Sequence, residues 1–301
     1  GLVSFTIAVT LDDALTALAA GARPIAGGTD LVVGARQGKA PLPHDRVAID
    51  RLTELGRIEP MPDGGVRIGA VVSHATLVSD PTIAGTRTAI SDGSALVGSP
   101  ATRHVGTIGG NVMNGSPAMD TGAPLVVLDA SVELRSLRGV RTMSIGELWT
   151  GPGITAAEPD ELCTALLLPA RSSQSGSAYV RLEYRRAMEI AVVGAAAAVE
   201  LDDDGLIGSL RVALSAVAPT IVEVDVSAMI GHRLDDNLLQ AVSVAASERA
   251  APISDLRASD RYRRHAVGVM ARRAVDAAVR RAEHEPIGVP VNRSLGIGAA
   301  S

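Results

Sequence analysis

Two short glycine pairs are the residues in this chain best suited to chemistry: Ala26-Gly27-Gly28-Thr29-Asp30-Leu31 and Thr107-Ile108-Gly109-Gly110-Asn111. Glycine has no Cβ, so successive backbone N–H groups can turn into one concavity and come close to an anion. Each pair sits beside a strand-like run and among Thr, Asn and Asp side chains. A helix starting near Thr29, with Thr29 as its N-cap, would add the positive end of its dipole. Two such turns together suit the cradling of a pyrophosphate. Taken singly, each also reads as a plain tight connection from strand to helix.

Other nucleotide signatures fail on detail. GARQGKA (34–40) is one residue short of a P-loop and ends in Ala40, where a metal-binding hydroxyl is required. GPGITA (151–156) imitates a dinucleotide fingerprint, but it follows the helical-looking ELWT and so lacks the strand-turn-helix setting. The six histidines (44, 74, 104, 232, 265 and 284) form no ligand-spaced pair, so no metal site is expected. The single thiol, Cys163, lies in an apolar run and reads as a packing residue. One thiol allows no intrachain disulfide and no thiolate-held cluster, and it fits a reduced, cytoplasmic compartment. A net charge of −5 and an aromatic share of 2% argue against nucleic acid as a partner, since neither a basic footprint nor stacking platforms are at hand. No run of about 20 apolar residues offers a transmembrane segment. The opening GLVSFTIAVTLDD lacks the pattern of a secretory signal, and Gly1 in place of Met points to processing or trimming.

The elements around these residues follow from periodicity. Thr10 and Asp13 make a capping box for a helix through LDDALTALAAG, and Ser73 caps another that runs to Ser79. RPI, RVAID (46–50), GVRIGA, SVELRS and ELCTALLLP read as strands, with Pro169 stopping the last. Residues 82–97 and APLVVLDA read as helical, and 106–122 as a glycine-rich polar stretch. RSSQSGS (171–177) is the expected linker, dividing residues 1–170 (subdomains about 1–55 and 56–170) from 178–285. Beyond it comes a hairpin turning at Asp203-Asp204-Gly205, then helices around 235–250 and 260–284. The last helix is expected to place Tyr262, Ala266, Val269, Met270, Ala274 and Ala277 inward and its arginines in solvent. The tail 286–301 reads as loose.

AGGTDL, GSPATRHVGTIGGN (98–111) and SPAMD (116–120), in this order, resemble the FAD-binding medium subunit of molybdenum hydroxylases of the xanthine and carbon monoxide dehydrogenase type. RLEYRRAMEIAVVGAAA (181–197) and PISDLRASDRYRRHAVGVMARRA (252–274) resemble that family's C-terminal domain, so the likeness spans nearly the whole chain. The resemblance implies an α+β fold. A two-subdomain FAD-binding fold of the vanillyl-alcohol-oxidase/PCMH kind would precede a C-terminal domain of a small antiparallel sheet packed on helices.

It also implies roles. Residues 26–31 and 107–111 would wrap the FAD pyrophosphate, largely through backbone N–H groups. Asn111 and Asp120 would bond ribityl or ribose hydroxyls, with an N-cap for the helix after Thr121 as the plainer reading of Asp120. Arg181 would place a positive charge near the flavin, or else be an ordinary strand-surface arginine. Ile190 would lie beside the isoalloxazine, or be a sheet-core residue. Two departures stand out: Met119 replaces the usual small residue, which would bring a side chain toward the cofactor, and Asn114 stands where Ala is common. The branch of the family with an extra Fe-S insertion is excluded by the missing thiols.

No acid–base dyad emerges, consistent with a chain that binds and tunes a cofactor. The resemblance implies partners: a large subunit with the molybdenum cofactor and a small subunit with 2Fe-2S clusters, in a dimer of heterotrimers. Electrons would pass from those clusters through FAD to an external acceptor. The alternative is a free-standing FAD-dependent oxidoreductase of the same flavin fold.

Overall fold

With so few aromatics, packing falls to Ala, Val, Leu and Ile. A computed structural model, which describes residues 4–298, shows these side chains gathered into three buried clusters. The start at Gly1 and the last residues of the tail lie outside the described residues. The fold is α+β.

The first cluster sits under a three-stranded parallel sheet in the order Ser4–Ile7, Asp45–Ala48, Arg23–Ile25. Helix Leu11–Ala19 covers it with Ala14, Leu15 and Leu18. Its start is fixed as expected: the Thr10 hydroxyl accepts from Asp13 N–H and the Asp13 carboxylate from Thr10 N–H. The second cluster backs a five-stranded antiparallel sheet, ordered Ile58–Pro60, Val66–Gly69, Leu162–Leu168, Ser131–Ser136, Gly139–Ser144. Cys163 is buried in the central strand, where burial pushes its thiol up to about 12. GPGITA forms the tight hairpin between Trp149–Gly151 and Ile154–Thr155, not a nucleotide loop.

The third cluster lies between a four-stranded antiparallel sheet (Ser175–Leu182, Val193–Leu201, Ile207–Ser215, Val222–Val224) and helices Asp236–Arg249 and Asp260–Ala282. Small residues let backbones approach. A Cβ on Gly176 would stand 2.1 Å from the Ala278 carbonyl oxygen, and one on Gly268 2.6 Å from that of Ser243.

Four expectations change here. The strand begins at Ser175, so half of the expected linker is buried sheet. The arginines of the last helix are not all solvated. Arg263 is buried, donating to the Val192 and Ala216 carbonyls and to Asp255; Arg281 is buried against Asp92. Tyr262, expected inward, is exposed instead, while its neighbour Arg263 takes the buried side of the first turn. The tail is not loose: helix Val291–Ser294 buries Val291 and Asn292, and Asn292 brackets Arg181 by accepting from its N–H and donating to its carbonyl.

A cofactor cradle between the glycine pairs and the C-terminal sheet

The first glycine segment leaves strand Arg23–Ile25 and enters helix Leu31–Arg36. The cap is Asp30, not Thr29, and its side chain makes no capping bond. The N–H groups of Ala26, Gly27, Gly28, Thr29 and Asp30 donate to no acceptor among the described residues. Gly28 takes a left-handed φ of +67°, a conformation that suits glycine within this row. A Cβ on Gly27 would lie 2.0 Å from the carbonyl oxygen of Val105, so glycine is required for this segment to lie on Val105-Gly106. The two glycine segments are thereby brought together.

The second segment is not a turn. Thr107 caps helix Ile108–Asn114, its hydroxyl accepting from Gly110 N–H, and Gly115 closes the helix in the left-handed region. The Ile108 and Gly109 N–H groups donate to Val72 and Ala70, and that of Asn111 to Thr107. Backbone donors 108–111 are therefore committed within the protein, unlike those of residues 26–30. This segment presents a helix N-terminus and the open face of Gly110, where an added Cβ would meet only Thr107 Oγ1, at 3.0 Å. Gly109 serves packing, since its Cβ would stand 2.6 Å from that of Ala70.

Asn111 Oδ1 accepts from the Thr121 hydroxyl at 2.6 Å. Asp120 does not cap helix Gly122–Val127; it is buried, with Oδ1 accepting from the Tyr179 hydroxyl at 2.9 Å and Oδ2 from Arg181 Nη1 at 2.6 Å. Each carboxylate oxygen keeps a second lone pair. Burial pushes the Asp120 carboxyl above its usual range, while Arg181 and the Tyr179 hydroxyl pull it back. Arg181 is no strand-surface residue. It is fully buried, and Nε donates to Glu183 at 2.9 Å, so two carboxylates match its single charge.

Arg181 Nη1 also donates to the Glu189 carbonyl, which anchors the loop from Tyr184 to Ile190. That loop reaches back to the first half of the chain, with Met188 N–H donating to the Gly98 carbonyl and the Thr102 hydroxyl to Met188 Sδ. Ile190 is half exposed, which removes the sheet-core reading. Met119 points into the core rather than toward the cradle, and Asn114 is exposed at the end of its helix. Arg103, Tyr179, Glu183, Asn292 and Arg293 complete the site, and sequence reasoning gave none of them a role. Arg103 and Glu183 lie within the recognised segments and Tyr179 two residues before one, whereas Asn292 and Arg293 carried no signal.

Comparison with known proteins decides what this arrangement belongs to. Residues 2–171 match the family described as the FAD binding domain in molybdopterin dehydrogenase, and residues 178–278 the CO dehydrogenase flavoprotein C-terminal domain. The chain belongs to the FAD-binding subunits of the molybdenum hydroxylases. This molybdenum hydroxylase flavoprotein is 33% identical over 281 residues to the xanthine dehydrogenase FAD-binding subunit of Escherichia coli O157:H7, covering 92% of this chain and 96% of the relative. It is also 33% identical over 278 residues to the carbon monoxide dehydrogenase medium chain of Afipia carboxidovorans, covering 90% and 93%. Among solved structures, reconstituted CO dehydrogenase from Oligotropha carboxidovorans superposes with a TM-score of 0.86 at 30% identity, over 93% of this chain and 99% of that one. The flavoprotein is thus an oxidoreductase subunit with FAD as its cofactor. Among the described residues, no helix is long and apolar enough to cross a membrane.

Proposed function

We propose that this chain holds one FAD non-covalently and passes electrons from the 2Fe-2S clusters of a small partner subunit to an external acceptor. It does so beside a large molybdenum-cofactor subunit, in a cytoplasmic dimer of heterotrimers. One observation carries the reading of the site: five consecutive N–H groups, from Ala26 to Asp30, have no acceptor among the described residues and lie beside a helix N-terminus capped by Thr107. Backbone donors without partners, approached over glycine, suit a doubly charged pyrophosphate. Thr29 belongs to that row, Leu31 follows it, and Gly110 leaves room above the second helix.

Bound FAD supplies the exchange between single electrons and electron pairs. The work of this chain is to bind, orient and set the local charge. The remaining lone pairs of Asp120 accept a ribityl or ribose hydroxyl, and the Arg181 bridge holds that carboxylate in place. Arg181 acts as a positioning residue, since its charge is already matched. Ile190 offers an aliphatic face to the ring system, on a loop whose course Arg181 fixes through the Glu189 carbonyl. Asn111, tied to Thr121, and Asn114, exposed at the helix end, are the further side chains of this helix that the reading assigns to the cofactor.

The test is spectroscopic and chemical. The purified chain should show flavin absorbance, one FAD per chain, all of it released into the supernatant on acid precipitation. A chain that neither retains nor rebinds FAD would overturn the proposal, and flavin left in the pellet would overturn its non-covalent form.

A further inference from the structure

Three guanidinium groups converge where the glycine segments meet the C-terminal sheet, and only two have carboxylates. Arg181 pairs with Asp120 and Glu183, and Arg293 donates to Glu183 at 2.5 Å. Arg103 has no ion-pair partner among the described residues. Its one bond runs from Nη1 to the Val97 carbonyl at 3.0 Å, leaving its other donors uncommitted. The side chain is half-buried on helix Pro100–Val105, directly before the Val105-Gly106 backbone on which Gly27 rests. The same helix is touched by the Tyr184–Ile190 loop, through Thr102 and Met188. Burial, and then repulsion from Arg293 and Arg181, hold the Arg103 guanidinium below its ordinary range.

Three cations against two carboxylates leave one positive charge at this junction. Holding a half-buried cation among other cations is unfavourable unless an anion completes the group. We infer that Arg103 is the cationic contact for an anionic oxygen of the bound dinucleotide, a role its neighbour Arg181 cannot fill. The inference rests on the FAD reading above. The anion is either the pyrophosphate, charged in every redox state, or the N1–C2=O edge of the reduced isoalloxazine.

The experiment compares the parent with Arg103→Gln and Arg103→Lys, measuring FAD affinity, ADP affinity and midpoint potential, with thermal melting to show that the variants fold. Loss of one charge-assisted contact should weaken binding of the anionic form roughly ten- to a hundredfold in the glutamine variant, with lysine restoring most of it. If pyrophosphate is the anion, FAD and ADP affinity fall together and the potential is unchanged. If the reduced ring is the anion, affinity for oxidised FAD holds and the potential becomes more negative. Affinities and potential that all stay at parental values in Arg103→Gln overturn the inference while leaving FAD binding intact. A parent that binds no FAD overturns both. Arginine modification on the intact parent needs no variant: FAD should protect the Arg103 peptide from phenylglyoxal, and equal labelling with and without FAD overturns the contact.

Discussion

Arg281 and Asp92 meet at 2.5 Å between the long C-terminal helix and the buried helix Thr88–Leu96, which belongs to the first half of the chain. Both side chains are buried, and Asp92 also accepts from the N–H groups of Tyr179 and Val291. One carboxylate therefore ties together a helix, a strand and the tail. Removing it leaves Arg281 buried and uncompensated, a change that costs about 3–5 kcal/mol. Asp92→Ala should lose that much in urea unfolding monitored by circular dichroism. A loss under about 1 kcal/mol would show that water or another group compensates the arginine.

His74 gives stability a definite pH dependence. Its ring is 1% exposed, Nδ1 lies 3.3 Å from Ser94 Oγ, and burial holds its pKa down to about 4. The unfolded chain, with an ordinary value of 6.5, takes up a proton there before the folded protein does. Stability is then lost as pH falls from 6.5 to about 4, by about 3 kcal/mol from this residue. Unfolding free energies measured at several pH values should fall less steeply across that window in His74→Gln. Parallel curves would remove the histidine as the cause.

Much of this was legible in the sequence, and the misses share a physical origin. The capping box at Thr10 and the strands ending at Gly69 and Leu168 are local patterns, written in residues that touch each other. The helix Ile108–Asn114 was hidden because two glycines in its first turn look like a turn. Gly109 is required there by Ala70, far away in sequence, while Gly110 has no such neighbour. Arg281 looked solvated because its carboxylate partner lies 189 residues away, and Arg263 because two of its acceptors are the distant Val192 and Ala216 carbonyls. Asn292 sits in a segment with no periodicity, and only the bracket it forms around Arg181 explains its burial.

The glycines separate cofactor approach from packing. Gly110→Val should lose FAD at least tenfold while keeping the parental melting temperature, because its side chain enters open space over the second helix. Gly109→Ala should instead cost about 1–3 kcal/mol of stability by overpacking against Ala70. Gly27→Ala, forced onto the Val105 carbonyl, should disturb both. Flavin content per chain and thermal melting, measured on all three, provide the check. A folded Gly110→Val protein with full FAD content would remove residues 107–111 from the site.

Electron flow should depend on assembly. The site joins unpartnered backbone donors, a buried Asp120–Arg181–Glu183 group and a loop carrying a half-exposed Ile190. Each of these can bind or orient a cofactor, yet among the described residues no side chain of this group is placed to take a proton from an organic substrate there. The acidic members of the group are buried and already paired with Arg181, and His74 bonds Ser94 within the interior. A cofactor in this cradle therefore needs electrons delivered from outside. Expressed alone, the chain should carry FAD but show negligible dehydrogenase activity toward purines, aldehydes or carbon monoxide. Co-expressed with the products of neighbouring reading frames, it should elute as a larger complex containing molybdenum and iron, and activity should appear with that complex. Size-exclusion chromatography with metal analysis measures this directly. A monomer that oxidises an organic substrate unaided, with neither metal present, would replace the subunit reading with that of a free-standing flavoenzyme.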